Sequence, residues 1–387
     1  MKQLSIGKGD RKMFEMIDYT KCITNLACSV LKEFGVEPSH NTFAMADEVM
    51  KEGYDNIVLI LLDGMGMSIL EKNADEKGFL CSHLYGEFQS VYLPTTVSST
   101  TSALSGLNPS EHAWLGWDCY YPEIDKNVTV FLNTLTSSEE TAADYPVAYK
   151  LRPYKNVIEQ IKEAGGDAYL VAPFAAPYTR IFEEQTEAVF ELCKKPGKKY
   201  IYCYNPQPDG IMHKTGTTSK ESKEALRALE KEIEDLCRKL NGLETRTLVM
   251  ITADHGQTDP KGVCLLDYPD IIDCLTRMPS LEPRTLNLFV KQDSVDVFPE
   301  IFNRHFADKF RLYTKKQVLE GKLFGPGKEH AKFRDMLGDY IAIAVSDLAI
   351  YFTYEDLQQQ KGFHGGMTSE EIRIPFIKID CKKDVIH

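Results

Sequence analysis

Nowhere in the 387 residues is there a run of about eighteen apolar side chains, so no helix is expected to span a bilayer. A basic excess is missing too: 45 Lys and Arg stand against 57 Asp and Glu, a formal net charge of -12. Nucleic-acid binders neutralise phosphates with a basic surface, so this balance argues against such a partner. The N-terminal stretch MKQLSIGKGDRKMFEMIDY lacks the apolar h-region of a secretory leader. Cys-x-x-Cys pairs are absent among the ten cysteines, and several of these, such as Cys28 and Cys203, sit in apolar runs. They read as reduced core residues of a cytoplasmic protein, with an extracellular disulfide set as the alternative that spacing leaves open. Internal repeats and low-complexity tracts are lacking as well.

What is present is enough apolar material, 43% of the chain, to bury a large core. The expectation is one α/β domain over residues 1–387 with a smaller inserted subdomain at 257–362. Asn56–Leu62 is an uninterrupted apolar run of strand length, as in a strand covered on both faces. Phe88–Leu93, Ala168–Ala172, Tyr200–Tyr204 and Thr247–Ala253 are further strand-like runs. Helical periodicity follows Asp18 as far as Gly35, and recurs over Asn156–Ala164 and over Ser219–Leu240, where Thr218 and Glu221 suggest a capping box. Strands alternating with helices predict a mainly parallel sheet. The polar stretch Trp117–Tyr149 reads as a loop or lid.

Chemistry-bearing residues fall at the ends of these strands. Asp63 leaves NIVLILL at a Gly turn, Asp254-His255 follows LVMITA, Asp209 and His213 stand four apart in PDGIMHKTG, and His364 lies in GFHGGMT. In an open α/β sheet the carboxyl ends of the strands share one edge, so such residues converge on one crevice. Mixed carboxylate and imidazole sets hold Zn²⁺, and a metal pair can clamp both oxygens of an in-line displacement at phosphorus. Each piece has a plainer reading: a turn Asp, a chance D-x-x-x-H, a structural Asp-His hydrogen bond, a turn histidine. Their joint placement at strand ends favours the two-metal hydrolase. The hydroxyl run Thr95 to Ser102 can open a helix whose N-terminal amides face a phosphate, and a threonine there needs a base or a metal to become a nucleophile. The remaining histidines, His387 among them, lack comparable neighbours.

The ordered set, strand-Asp63, PTT…SGLNPSEH, PD-x-x-x-H-x-x-G, ADHG and HGG, resembles the alkaline phosphatase superfamily and, within it, the type I phosphodiesterase/nucleotide pyrophosphatase family. The resemblance spans about Asn56 to Ile377. It implies an alkaline-phosphatase-like three-layer sandwich and a small-molecule phosphate ester substrate. It also implies two Zn²⁺, or Mn²⁺ or another divalent metal, with Asp209, His213 and His364 on one ion and Asp63, Asp254 and His255 on the other. Thr96 would bridge them as the nucleophile that carries a phosphoryl or nucleotidyl intermediate. Ser99, three residues later, stands where nucleotide pyrophosphatases of the family have an asparagine directed at the phosphoryl oxygen, which makes it a candidate substrate contact. Trp114 and Trp117, the only tryptophans, are further candidates for packing on the substrate, or else core residues. The alternatives are a metal-dependent phosphomonoesterase or phosphonate hydrolase and, from another class, a non-catalytic metal-binding regulatory protein. No Cys/Ser-x-Pro-x-Arg motif of a sulfatase is present, and no arginine is next to Thr96 in the sequence.

Overall fold

Residues 16–382 are described by a computed structural model; the N-terminal stretch read above for a leader lies largely outside them, as does His387. A six-stranded sheet forms the centre, in the order Leu84–Gln89, Arg373–Cys381, Thr247–Thr252, Asn56–Leu62, Lys199–Asn205, Asp167–Val171. Asn56–Leu62 runs parallel to both of its neighbours, with Leu62 opposite Asn205 and Leu61 opposite Thr252. All seven of its residues are buried, consistent with the unbroken apolar run. Each fully buried aliphatic side chain there contributes on the order of 1.5–3 kcal/mol. Arg373–Cys381 is the antiparallel member, paired with Thr247–Thr252 on one side and Leu84–Gln89 on the other. Among the described residues no helix is long and apolar enough to cross a membrane.

Helices cover the sheet. Ile23–Glu33 lies beside Val157–Glu163 and Thr96–Ser105, whereas Lys220–Leu240 packs on Phe182–Cys193 and Met67–Asn73. The long helix starts one residue later than the sequence suggested. Its cap is Ser219, whose side chain accepts from Ser222 N–H, and Thr218 stands outside the motif.

A second, seven-stranded sheet corrects the loop expected over 117–149. Four of its strands come from the later segment: Phe310–Thr314, Tyr340–Ala344, Thr285–Leu288 and Ser280–Glu282. The other three are Asp118–Tyr121, Lys126–Thr129 and Thr134–Leu135, joined through the pairing of Leu281 with Asp118. These short strands alternate poorly and carry polar residues on a half-exposed face, which hides them from a periodicity reading.

The two sheets are tied by a buried ion pair. Arg284 donates from Nε to Glu371 Oε1 (2.6 Å) and from Nη2 to Glu371 Oε2 (2.8 Å), both side chains being fully enclosed. Glu371 also accepts from Gly366 N–H at 2.7 Å, which fixes the loop that carries His364. Truncating one partner leaves the other charge buried and unpaired. Arg284→Ala is therefore expected to lower stability by about 3–5 kcal/mol, read as a fall in the urea midpoint; a loss under about 1 kcal/mol would show that the pair is not a strut.

Candidate active site

The carboxyl ends of the three central strands bring the site together. Asp63 follows Leu62 directly, Asp254-His255 comes just after Thr252, and Asp209 opens the helix Asp209–Thr215 a few residues beyond Asn205. His213, one turn along that helix, falls on the face of Asp209. Gly256 permits the crowding here, since a Cβ on it would lie 2.0 Å from the Glu370 carbonyl oxygen. Gly365, beside His364, has φ 93°, a left-handed conformation that favours glycine.

Two groups result, each with its donor atoms within 4.8 Å of one another: Asp209, His213 and His364, and Asp63, Asp254 and His255. In the first, Asp209 Oδ1 lies 3.2 Å from His213 Nε2 and 3.7 Å from His364 Nε2. In the second, His255 Nε2 lies 3.3 Å from Asp63 Oδ1 and 3.5 Å from Asp254 Oδ2. The groups adjoin, with the rings of His255 and His364 stacked at 3.9 Å between centroids. Backbone carbonyls orient two of the imidazoles: His213 Nδ1 is 2.8 Å from Gly362 O and His255 Nδ1 3.0 Å from Gly256 O. Each Nε2 is thereby left to the centre of the site. Asp254 Oδ1 is held by the N–H groups of Gly64 and His255, both at 3.0 Å.

Thr96 begins the helix Thr96–Ser105, and its Oγ1 lies 3.4 Å from each Asp63 oxygen and 3.3 Å from His255 Nε2. The Thr95 hydroxyl turns away and donates to Glu282. Sequence reasoning missed Tyr204, whose hydroxyl donates to Asp63 Oδ2 from the end of its strand.

Burial and the Asp63 carboxylate push Asp254 well above the usual carboxylate range. Burial opposes protonation of His255, but Asp254 and Asp63 outweigh it and raise the imidazole to about 10. Burial likewise opposes the charges of Asp209 and His213, yet their mutual attraction holds the carboxyl low and the imidazole high. Burial and the neighbouring His255 keep His364 neutral. The carboxylates thus draw positive charge into the centre, which protons on the imidazoles or divalent cations at Nε2 can supply.

Two cavities flank Thr96, of about 350 and 420 Å³, and share Thr96, Trp117, Leu132 and Asp209 as lining. The smaller borders His213 and His364 and continues to Asp118, Glu282 and Asp356. The larger borders Asp63 and Tyr204 and is walled by Phe131, Tyr149, Tyr154 and Phe174, with Arg180 beside them. Burial raises Glu282 to about 8.

Of the two tryptophans, Trp117 is 36% exposed and lines both cavities. Trp114 does not fit the substrate role: it is fully buried, donates from Nε1 to Arg152 O at 2.8 Å and lines neither cavity. Ser99 also departs from expectation. It sits on the inner face of its helix, bonded to Ser90 Oγ (2.8 Å) and Leu93 O (3.3 Å), and lines neither cavity. Arg180 reaches the site although no arginine is near Thr96 in sequence, because its loop folds over the end of Lys199–Asn205, where Asn205 donates to Arg180 O.

The model of the type I phosphodiesterase/nucleotide pyrophosphatase family matches residues 57–367. Among solved structures, murine ectonucleotide pyrophosphatase/phosphodiesterase 5 superposes with a TM-score of 0.64 at 16% identity, covering 83% of this chain and 87% of that one. An inactive threonine-to-alanine form of the murine protein in complex with AMP gives 0.62 at 16% identity, with the same coverage of both chains. The human protein of the same name gives 0.64 at 18% identity, again over 83% and 87%. These likenesses show an alkaline-phosphatase-like α/β fold. A search of curated protein sequences found no match.

Proposed function

Because the chain belongs to the type I phosphodiesterase/nucleotide pyrophosphatase family, we propose that it hydrolyses a small-molecule phosphodiester or pyrophosphate at Thr96, between two divalent metal ions. The observation that carries this reading is the position of Thr96 Oγ1 within 3.4 Å of Asp63 and His255, beside the second Asp/His group. The donor set fits metal. Asp209 Oδ1 and Asp254 Oδ2 are buried carboxylate oxygens without a hydrogen-bond partner, a costly state that coordination at these atoms would relieve. Asp209, His213 and His364 would hold one ion and Asp63, Asp254 and His255 the other. Nitrogen and oxygen donors suit Zn²⁺, with Mn²⁺ or another divalent ion compatible.

When bound, such ions supply Lewis acidity that stabilises a threonine alkoxide and the charge on the phosphoryl oxygens. The residues do the rest. Thr96 Oγ attacks phosphorus, the bond from phosphorus to the leaving oxygen breaks, and water then cleaves the phosphothreonine ester and restores the hydroxyl. The first amides of the helix that Thr96 opens would be turned to the phosphoryl group of a substrate attacked by Thr96. The inactive threonine-to-alanine form of the murine relative supports giving this role to a threonine. Free cysteines, nine of the ten buried, support a cytoplasmic placement.

A cavity on each side of Thr96 gives both ester arms a place, which favours a diester over a monoester. Arg180 is the observation on the other side, since a cation in the wall can balance the extra charge of a monoester. It stands in the aromatic cavity, where a diester's second arm would also meet it. With zinc-loaded protein, bis-(p-nitrophenyl) phosphate is expected to show a kcat/KM about tenfold or more above that of p-nitrophenyl phosphate. The reverse order would favour the monoesterase, and no turnover of either, with metal bound, would favour a non-catalytic protein.

A further inference from the structure

The smaller cavity has an electrostatic character that phosphate chemistry alone does not require. Asp118, Glu282 and Asp356 line it, and among the described residues no Lys or Arg does. Its only basic side chains among the described residues are His213 and His364, both in the proposed metal site. Asp118 is 9% exposed and Glu282 2%. Both carboxylates are held by one oxygen. Glu282 Oε1 accepts from the Thr95 hydroxyl and from Trp117 N–H at 3.1 Å, while Oε2 has no partner among the described residues. Asp118 Oδ1 accepts from the hydroxyls of Thr129 and Thr136 (2.5 and 2.9 Å), and Oδ2 likewise has none. In the same wall the Tyr351 hydroxyl is buried without a hydrogen-bond partner.

Resting on the phosphodiesterase reading, we propose that this cavity receives an ammonium group carried by one ester arm of the substrate, bound between the free oxygens of Asp118 and Glu282. Enclosed carboxylates with one oxygen pinned and the other unengaged form a rigid acceptor pair, and an ammonium offers three donors and the missing counter-charge. Burial, which pushes Asp118 up to about 6, shows what its charge costs without one. A bare metal ion fits less well. Among the described residues only the two Asp/His groups are compact enough to share an ion, and the acids of this cavity do not form a third. An organic cation tethered to the phosphoryl group at Thr96 would reach both acids through the cavity that Thr96, Asp118 and Glu282 line together. The other arm then lies in the aromatic cavity.

The test compares two probes of similar size, 2-aminoethyl p-nitrophenyl phosphate and propyl p-nitrophenyl phosphate. Binding is followed by tryptophan fluorescence in the full chain carrying Thr96→Ala, and turnover as p-nitrophenolate release by the zinc-loaded parent. The ammonium probe is expected to bind at least about tenfold more tightly and to show a similar advantage in kcat/KM. Glu282→Gln and Asp118→Asn each keep the pinned oxygen and change only the free one. In each, read as the ratio between probes within the same variant, the advantage should shrink severalfold. Equal binding of the two probes to Thr96→Ala, or a preference that both substitutions leave intact, would overturn the proposal. Failure of the phosphodiesterase reading looks different: the ammonium preference in binding would persist while the parent released p-nitrophenolate from neither probe.

Discussion

Thr96→Ala is expected to lower kcat by about 10³-fold or more while the protein still folds and still takes up its metal. The Thr96 hydroxyl lies within 3.4 Å of both Asp63 and His255, and the substitution removes that oxygen without touching a carboxylate or an imidazole. If Thr96 is the nucleophile proposed above, its loss would leave only the electrostatic and positioning contributions to the rate. Thr95→Ala is the control. Its hydroxyl donates to Glu282, away from the Asp/His groups, so its loss should weaken substrate binding more than it slows the chemical step. Rapid quenching of a single turnover should trap a phosphorylated peptide containing Thr96 in the parent and none in Thr96→Ala. Near-parental kcat in Thr96→Ala, with a large loss in Thr95→Ala, would move the nucleophile by one residue.

The sequence shows the centre of this molecule far better than its margins. Asn56–Leu62 has the same bounds in sequence and structure because it is apolar at every position after Asn56 and stops at Asp63-Gly64. The same logic misplaced Phe88–Leu93. The strand is Leu84–Gln89, an edge strand whose first residues are largely exposed, while Tyr92 and Leu93 pack with Val128, Leu281, Ile341 and Ile343 against the seven-stranded sheet. Asp63, Asp209, His213, Asp254, His255 and His364 were legible because each sits beside a strand end or a glycine turn that local sequence marks. Glu282, Arg180 and Asp118 were not. Glu282 meets Thr95 across 187 residues, through a sheet assembled from two distant segments, and nothing local to SLEPRT signals that encounter. The inward placement of Ser99 and Trp114 was not legible for a related reason: spacing gives a residue's rank along the chain but not the face on which its helix or turn places it.

Removing the metal is expected to abolish turnover and to lower the melting temperature by several degrees. Ions present at 100 to 1,000 times their Kd would stabilise the fold by about 3–4 kcal/mol per site, since the unfolded chain offers no assembled ligand set. Asp254→Asn separates this linkage from a merely structural role for the cluster. Asn keeps Oδ1, so the hydrogen bonds from Gly64 and His255 survive, but it supplies no carboxylate at the position of Oδ2. In the presence of metal the variant should be less stable than the parent and should bind fewer ions per chain. In a chelator the order should reverse or vanish, because Asp254 and Asp63 are enclosed carboxylates that repel one another when no cation lies between them. His213→Ala should also lose metal and rate, through the other group, but without that reversal, since it removes an imidazole and leaves Asp209 enclosed with less positive charge around it. Full activity in rigorously metal-free protein would sink the mechanism. Equal destabilisation by Asp254→Asn with and without chelator would show that the cluster stabilises the fold by hydrogen bonding rather than by holding an ion.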